Sequence, residues 1–284
     1  MSTVLNKWDL DCLAGLFRRA SAVALEYFDN PPMELKSDSS VVTAADREIE
    51  AFFSTRCDRP EQGVYLIGEE TVEKHDRNYI DRALQGDFCW ILDPIDGTAP
   101  YSAHLNMWGI SLGLMQHGHL TEGAVALPVL DILLATWQQK IYCCKLSSES
   151  AWEVFTPQVS ALKTSGHIAI GQLQAHQWRF DGPNQLFAWS SCVGSVYWVL
   201  SGLATAYCGD FKLWDIAGLL PILRNANYPI ISTVGDHKLL SADPADNMFE
   251  FAPGARCWKV KAPVIAAPDM GTALDILKNF HPFA

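Results

Sequence analysis

Apolar positions in the first part of the chain recur at helical spacing, then give way to short uninterrupted runs. From residue 7 to about 28, Leu10, Leu13, Leu16, Phe17, Ala20, Val23, Ala24 and Tyr27 mark one face of a helix, and Pro31-Pro32 ends it. The polar stretch around Lys36 to Ser40 reads as a loop. Thr43 then stands at an N-cap position, with Asp46 three residues later and Ile49, Phe52 and Phe53 on the apolar face. Val64-Tyr65-Leu66-Ile67 predicts a buried strand closed by Gly68-Glu69-Glu70, and residues 71–87 a surface connection with a short helix. Trp90-Ile91-Leu92 predicts a second buried strand that stops at Pro94, since proline cannot donate to a sheet ladder. A strand over Trp108–Met115 follows, its small residues allowing close backbone approach. His117-Gly118-His119 reads as a hairpin turn, with further strands at 120–129, 132–137 and 140–145. Successive hairpin-connected strands predict an antiparallel sheet in this half.

The second half alternates differently. Short strands at 166–171, 186–190, 204–208, 229–234 and 262–266 are separated by helix-like segments at about 193–201, 214–225 and 270–280. That pattern predicts a more α/β arrangement. A compositional break near Lys145-Leu146-Ser147-Ser148 divides the chain into residues 1–145 and 146–284. Ala242 to Asn247 reads as a surface loop.

With 49% hydrophobic and 19% charged residues, the 284-residue chain has a globular composition. It lacks an apolar run of about 18 residues, so no membrane span is expected. The N-terminus does not follow a signal-peptide layout, and the eight cysteines form no Cys-x-x-Cys pair, which fits reduced thiols in the cytoplasm. A formal net charge of −11 argues against binding nucleic-acid polymers. It does not exclude a small anion, because bound cations can reverse a local field.

The chemistry concentrates in Asp93-Pro94-Ile95-Asp96-Gly97-Thr98. Carboxylate oxygens converging at a strand end suit a hard divalent cation such as Mg²⁺, and free N–H groups at a helix start suit a phosphate. Asp-x-x-Asp alone is an ordinary turn. Here it is joined by Asp46 and Glu69-Glu70 upstream and Trp214-Asp215 downstream. In that order and spacing, the set resembles the inositol monophosphatase family of lithium-sensitive, Mg²⁺-dependent phosphatases, over most of the chain. The resemblance implies a layered αβαβα sandwich, a mixed α+β and α/β fold of the inositol monophosphatase and fructose-1,6-bisphosphatase type. It also implies two or three Mg²⁺ ions, a homodimer and a small phosphorylated metabolite as substrate.

The same resemblance assigns roles. Glu69, Asp93 and the carbonyl of Ile95 would hold one Mg²⁺, and Asp93, Asp96 and Asp215 the second. Glu69 and Thr98 would orient and deprotonate the attacking water, with Asp46 polarising Thr98 through a hydrogen bond. Gly97 and Thr98 would cradle the phosphate, Glu70 would lie behind the metal ligands, and Lys36 could bring in a further Mg²⁺. The substrate positions depart from the family pattern. Ala99-Pro100-Tyr101 replaces Thr-Asn-Phe, and Trp189-Ser190-Ser191 stands in place of Gly-Ser/Thr-Ala. Cys208 falls where the family Glu grips inositol, with Asp210 two residues away as its substitute, and Asn227-Tyr228 replaces Gly-Gly. A nucleotide 3′-phosphate, a sugar bisphosphate or histidinol phosphate therefore stands beside inositol phosphate as substrate. Trp178, Trp189, Tyr197 and Trp198 are candidates for an aromatic wall. A non-catalytic scaffold is the alternative of another class.

Overall fold

The N-terminal stripe becomes the helix Leu10–Phe28, whose first turn is capped by the Asp9 carboxylate accepting from the Cys12 N–H. Its partner, Ala44–Cys57, starts at a capping box in which Thr43 and Asp46 satisfy each other's main-chain donors. The computed structural model describes residues 4–29, 33–35, 41–149, 151–162, 166–240, 245–254 and 256–283. Lys36 lies outside them.

Both helices cover one face of a seven-stranded sheet. Its strands run in the order Val64–Gly68, Phe88–Asp96, Gly109–Gln116, His119–Leu127, Ile132–Trp137, Lys140–Cys144 and Glu153–Val154. All neighbours are antiparallel except the first pair. Five shorter strands form the second sheet, in the order Leu186–Phe187, Ile168–Ile170, Ala206–Gly209, Val264–Ala266, Ile230–Ser232.

Side chains alternate across a strand, so each sheet feeds two cores. Leu66, Trp90, Leu92 and Leu112 pack beneath the N-terminal helices, around Phe17 and Phe53. Ile67, Ile91 and Val125 point the other way, onto the helices Cys192–Leu200, Leu213–Ala217 and Leu220–Asn225. Tyr207, Ile230 and Val264 of the small sheet close that same core from the far side. Ile170, Cys208 and Ile265 face outward onto the helix Met270–Leu277. The result is the αβαβα stack the resemblance implies, with the middle core drawing on both halves of the chain.

Four local expectations change. The strand that should have stopped at Pro94 continues to Asp96. Its pairing with Gly109–Gln116 shifts between Asp93 and Asp96, and Pro94 falls in that bulge, where no ladder N–H is required. The helix expected over 214–225 is two helices, because Pro221 has no N–H to continue the ladder across Gly218. The segment expected as helix to residue 280 ends at Leu277, and Phe280–Pro282 pairs with Trp178–Phe180. Of the expected loop at 242–247, residues 242–244 are not described, and Ala245–Met248 is a short helix.

Candidate metal and phosphate site

The bulge is what makes the site. By displacing the end of the strand Phe88–Asp96, it turns both Asp93 and Asp96 toward the helix Leu213–Ala217, where Asp215 occupies the first turn. That helix lies backbone-to-backbone on the sheet. A Cβ on Gly113 would come within 2.6 Å of the Ala217 carbonyl oxygen, and one on Gly123 within 2.2 Å of that of Gly218. Ser111 completes the clamp, its Oγ donating to the Trp214 carbonyl (2.9 Å) and accepting from the Gly218 N–H (3.1 Å). The small-residue face of the strand thus sets how close Asp215 comes to the Asp93–Asp96 turn.

One carboxylate oxygen from each of Asp93, Asp96 and Asp215 lies within 4.8 Å of the others. Asp93 and Asp96 are buried. Loss of water, followed by the charges of Glu69, Asp96 and Asp215, holds Asp93 well above the usual carboxylate range. Burial, then Glu69 and Asp96, does the same to Asp215. Burial also raises Asp96, but only to about 6, because three donors stabilise its charge. These are the Ser191 hydroxyl and the N–H groups of Cys192 (3.0 Å) and Val193 (2.7 Å), at the start of the helix Cys192–Leu200. Such a group of negative charges calls for positive charge, and hard oxygen donors from a rigid turn and a facing helix fit a divalent cation.

Glu69 joins the same cavity of about 390 Å³ as the three aspartates, Ile95, Gly97, Thr98, Ser190, Asp210 and Lys212. Gly97 adopts φ +89°, a left-handed conformation, and opens the short helix Thr98–Ser102 beside the carboxylates. A Cβ there would come within 2.8 Å of Ser191.

Two expected contacts differ. The Asp46–Thr98 hydrogen bond is not formed. The Thr98 hydroxyl donates to the Ile95 carbonyl (3.1 Å), while Asp46 Oδ2 accepts from the Thr43 N–H and hydroxyl. Asp46 Oδ1 is buried without a partner, and burial raises the group to about 7. Cys208 does not reach the cleft. Strand alternation turns it into the outer core with Ile168 and Ile265, so it cannot touch substrate. Asp210 does line the cavity, where Arg256 pairs with it at 3.0 Å. Ser191 is buried, and its hydroxyl is committed to Asp96. Among the proposed aromatic walls, Trp189 and Trp198 pack on each other and on Phe187, and Trp178 lines a separate groove beside Phe280.

Sequence reasoning missed Glu50. Its carboxylate is buried beneath the Glu69-Glu70 turn and accepts from the Glu70 N–H (2.9 Å) and the Thr71 hydroxyl. A Cβ on Gly68 would strike it at 2.4 Å. Burial raises Glu50 to about 7. The signal was present: Glu50 is one turn beyond Asp46, on the same helix face. Lys212 was missed as well. Its N–H donates to Asp215 (2.9 Å) and its ammonium lies 3.4 Å from Glu69.

A family model described as the inositol monophosphatase family matches residues 9–265. The chain belongs to the inositol monophosphatase family. Among curated proteins, it is 26% identical over 245 residues to the 3′(2′),5′-bisphosphate nucleotidase CysQ of Escherichia coli strain K12, covering 80% of this chain and 89% of that one. It is also 26% identical over 232 residues to the histidinol-phosphatase of Chlorobaculum parvum, covering 77% and 83%. The fold matches the Thermotoga maritima IMPase with a TM-score of 0.68 at 18% identity, over 95% of each chain. It matches an IMPase/NADP phosphatase complexed with NADP and Ca²⁺ with a TM-score of 0.70 at 18% identity, over 96% of each. The family members are metal-dependent phosphatases of small phosphorylated substrates. Among the described residues, no helix is long and apolar enough to cross a membrane.

Proposed function

We propose that this protein hydrolyses a small phosphomonoester with Mg²⁺ held by Glu69, Asp93, the Ile95 carbonyl, Asp96 and Asp215. The observation that carries this reading is the convergence of three carboxylates, drawn from two distant segments, on a cavity shared with Gly97 and Thr98. When bound, the ions would supply charge neutralisation for the phosphate and the leaving oxygen and make water a better nucleophile at neutral pH. The chain supplies the rest. Gly97 and Thr98 direct main-chain N–H groups at the phosphoryl oxygens. The Glu69 carboxylate takes the proton of the attacking water, and Thr98 orients that water for in-line displacement. Asp96 is held rigid by Ser191, Cys192 and Val193, which keeps its ligand oxygens fixed between states.

Cys208 is buried away from the cleft, and Asp210, its substitute, is paired with Arg256; both support a leaving group other than inositol. Phosphate release from a panel of phosphomonoesters, with Mg²⁺ and with chelator, tests the proposal. Mg²⁺-dependent release from at least one compound is expected, with inhibition by millimolar Li⁺. Silence on every compound would refute the reading.

A further inference from the structure

The cavity that holds the carboxylates does not end at them. Lys212 and Lys259 line it as well, and the same two lysines, with Glu69, also line a neighbouring cavity of about 850 Å³. Arg47, Lys74, Trp214 and Trp258 line that second space. The two cavities therefore share a wall of Lys212, Lys259 and Glu69, and the second sets four basic side chains, Arg47, Lys74, Lys212 and Lys259, against three acidic ones, Glu69, Glu70 and Glu73.

This wall is built rather than incidental. Residues Lys212 and Lys259 face each other in an antiparallel bridge. The Leu213 N–H donates to the Trp258 carbonyl (2.8 Å), and the Val260 N–H donates to the Phe211 carbonyl (3.0 Å). Trp258 is held at φ +70°, an uncommon conformation for a bulky residue, which the surrounding hydrogen bonds enforce. Its ring packs at 6.0 Å from that of Trp214, over which the Lys212 ammonium lies at 5.2 Å. Arg256 pairs with Asp210, which also lines the first cavity, and so offsets that carboxylate's repulsion of an anion; the Lys212 ammonium, 3.4 Å from Glu69, does the same there.

We propose that Lys212 and Lys259 form a second anion subsite, so that the favoured substrate carries a second phosphate on its leaving group. This rests on the phosphatase reading and adds its substrate class: a bisphosphate whose non-reacting phosphate lies toward the lysines and whose carbon skeleton runs along Trp258. A nucleoside bisphosphate and a sugar bisphosphate share that chemistry.

The test compares matched pairs: adenosine 3′-phosphate against adenosine 3′,5′-bisphosphate, and fructose 1-phosphate against fructose 1,6-bisphosphate. Phosphate release with Mg²⁺ gives kcat/KM for each. The expected result is at least about a tenfold preference for the bisphosphate in one pair, expressed mainly in KM, which corresponds to about 1.4 kcal/mol. The pair that shows it identifies the skeleton. Lys259→Gln should bring the ratio close to one, while Lys259→Arg retains it. Calorimetric titration of the same compounds with Ca²⁺ in place of Mg²⁺ reads the subsite apart from turnover. A bisphosphate preference in Kd supports the subsite even if no compound is hydrolysed, an outcome that would overturn only the phosphatase reading. Equal kcat/KM and equal Kd within both pairs, or a preference that Lys259→Gln leaves intact, overturns the subsite while a Mg²⁺-dependent monophosphatase stands. Absence of binding by all four compounds overturns it too.

Discussion

The two ends of the cleft are made differently. At the reacting end, Asp93, Asp96 and Asp215 are fixed by core structure: a bulged strand, a helix start and a helix pressed on glycines. At the other end, Lys212, Lys259 and Trp258 stand on connecting segments and are partly exposed. Burial makes charge expensive, so the first end tolerates little change without a compensating cation. The second can exchange side chains at small cost to the fold, which is where substrate choice can vary. In the proposed reading, chemistry and specificity are separated by how deeply each end is buried.

Removing a ligand from the rigid end should have the largest effect. Asp93→Asn is expected to lower turnover by on the order of a thousandfold or more, since metal-ion stabilisation is worth several kcal/mol. Full activity in this variant, measured by phosphate release, would mean that Asp93 holds no metal. Glu50→Gln probes the support beneath Glu69. It should raise the Mg²⁺ concentration for half-maximal activity by about 10- to 100-fold, with a smaller change in thermal stability. An unchanged Mg²⁺ titration would reduce Glu50 to a packing role.

Gly113→Ala tests whether close packing positions Asp215. The added methyl meets the Ala217 main chain, and a cost of about 1–3 kcal/mol is expected, with weaker Mg²⁺ binding. If denaturant unfolding and Mg²⁺ affinity both match the parent, the close approach is dispensable.

The smallest effect expected is a dependence of metal-free stability on pH. Asp46 and Glu50 are raised from 3.8 and 4.5 to about 7 in the fold, so the folded state binds more protons than the unfolded chain between those limits. Stability therefore falls as pH rises through that window. In chelator, Tm should be higher near pH 5 than near pH 8, and Mg²⁺ should raise Tm more at pH 8. A chelated protein that is no less stable at pH 8 would contradict the effect of burial on Asp46 and Glu50.

Much of this was legible along the chain. The helix stripe from Leu10, the Thr43–Asp46 cap and the strands around the acidic motif follow from local periodicity and capping, which act over a few residues. So does membership of the phosphatase family, because the Asp-Pro-Ile-Asp-Gly-Thr turn and Trp214-Asp215 keep their type and order. What the chain could not express is which side of a strand faces what. The family pattern, counted back from Asp215, puts Cys208 in the cleft, yet the alternation of its strand puts it in a core. Pro94 reads as a stop, yet a bulge absorbs it. Lys259 and Trp258 have no motif; they reach the site only because their segment pairs with Phe211–Leu213. Local preferences fixed the elements and the acidic turn, while non-local pairing decided which side chains share the cleft, since those contacts depend on sheet register and helix packing rather than on neighbours in sequence.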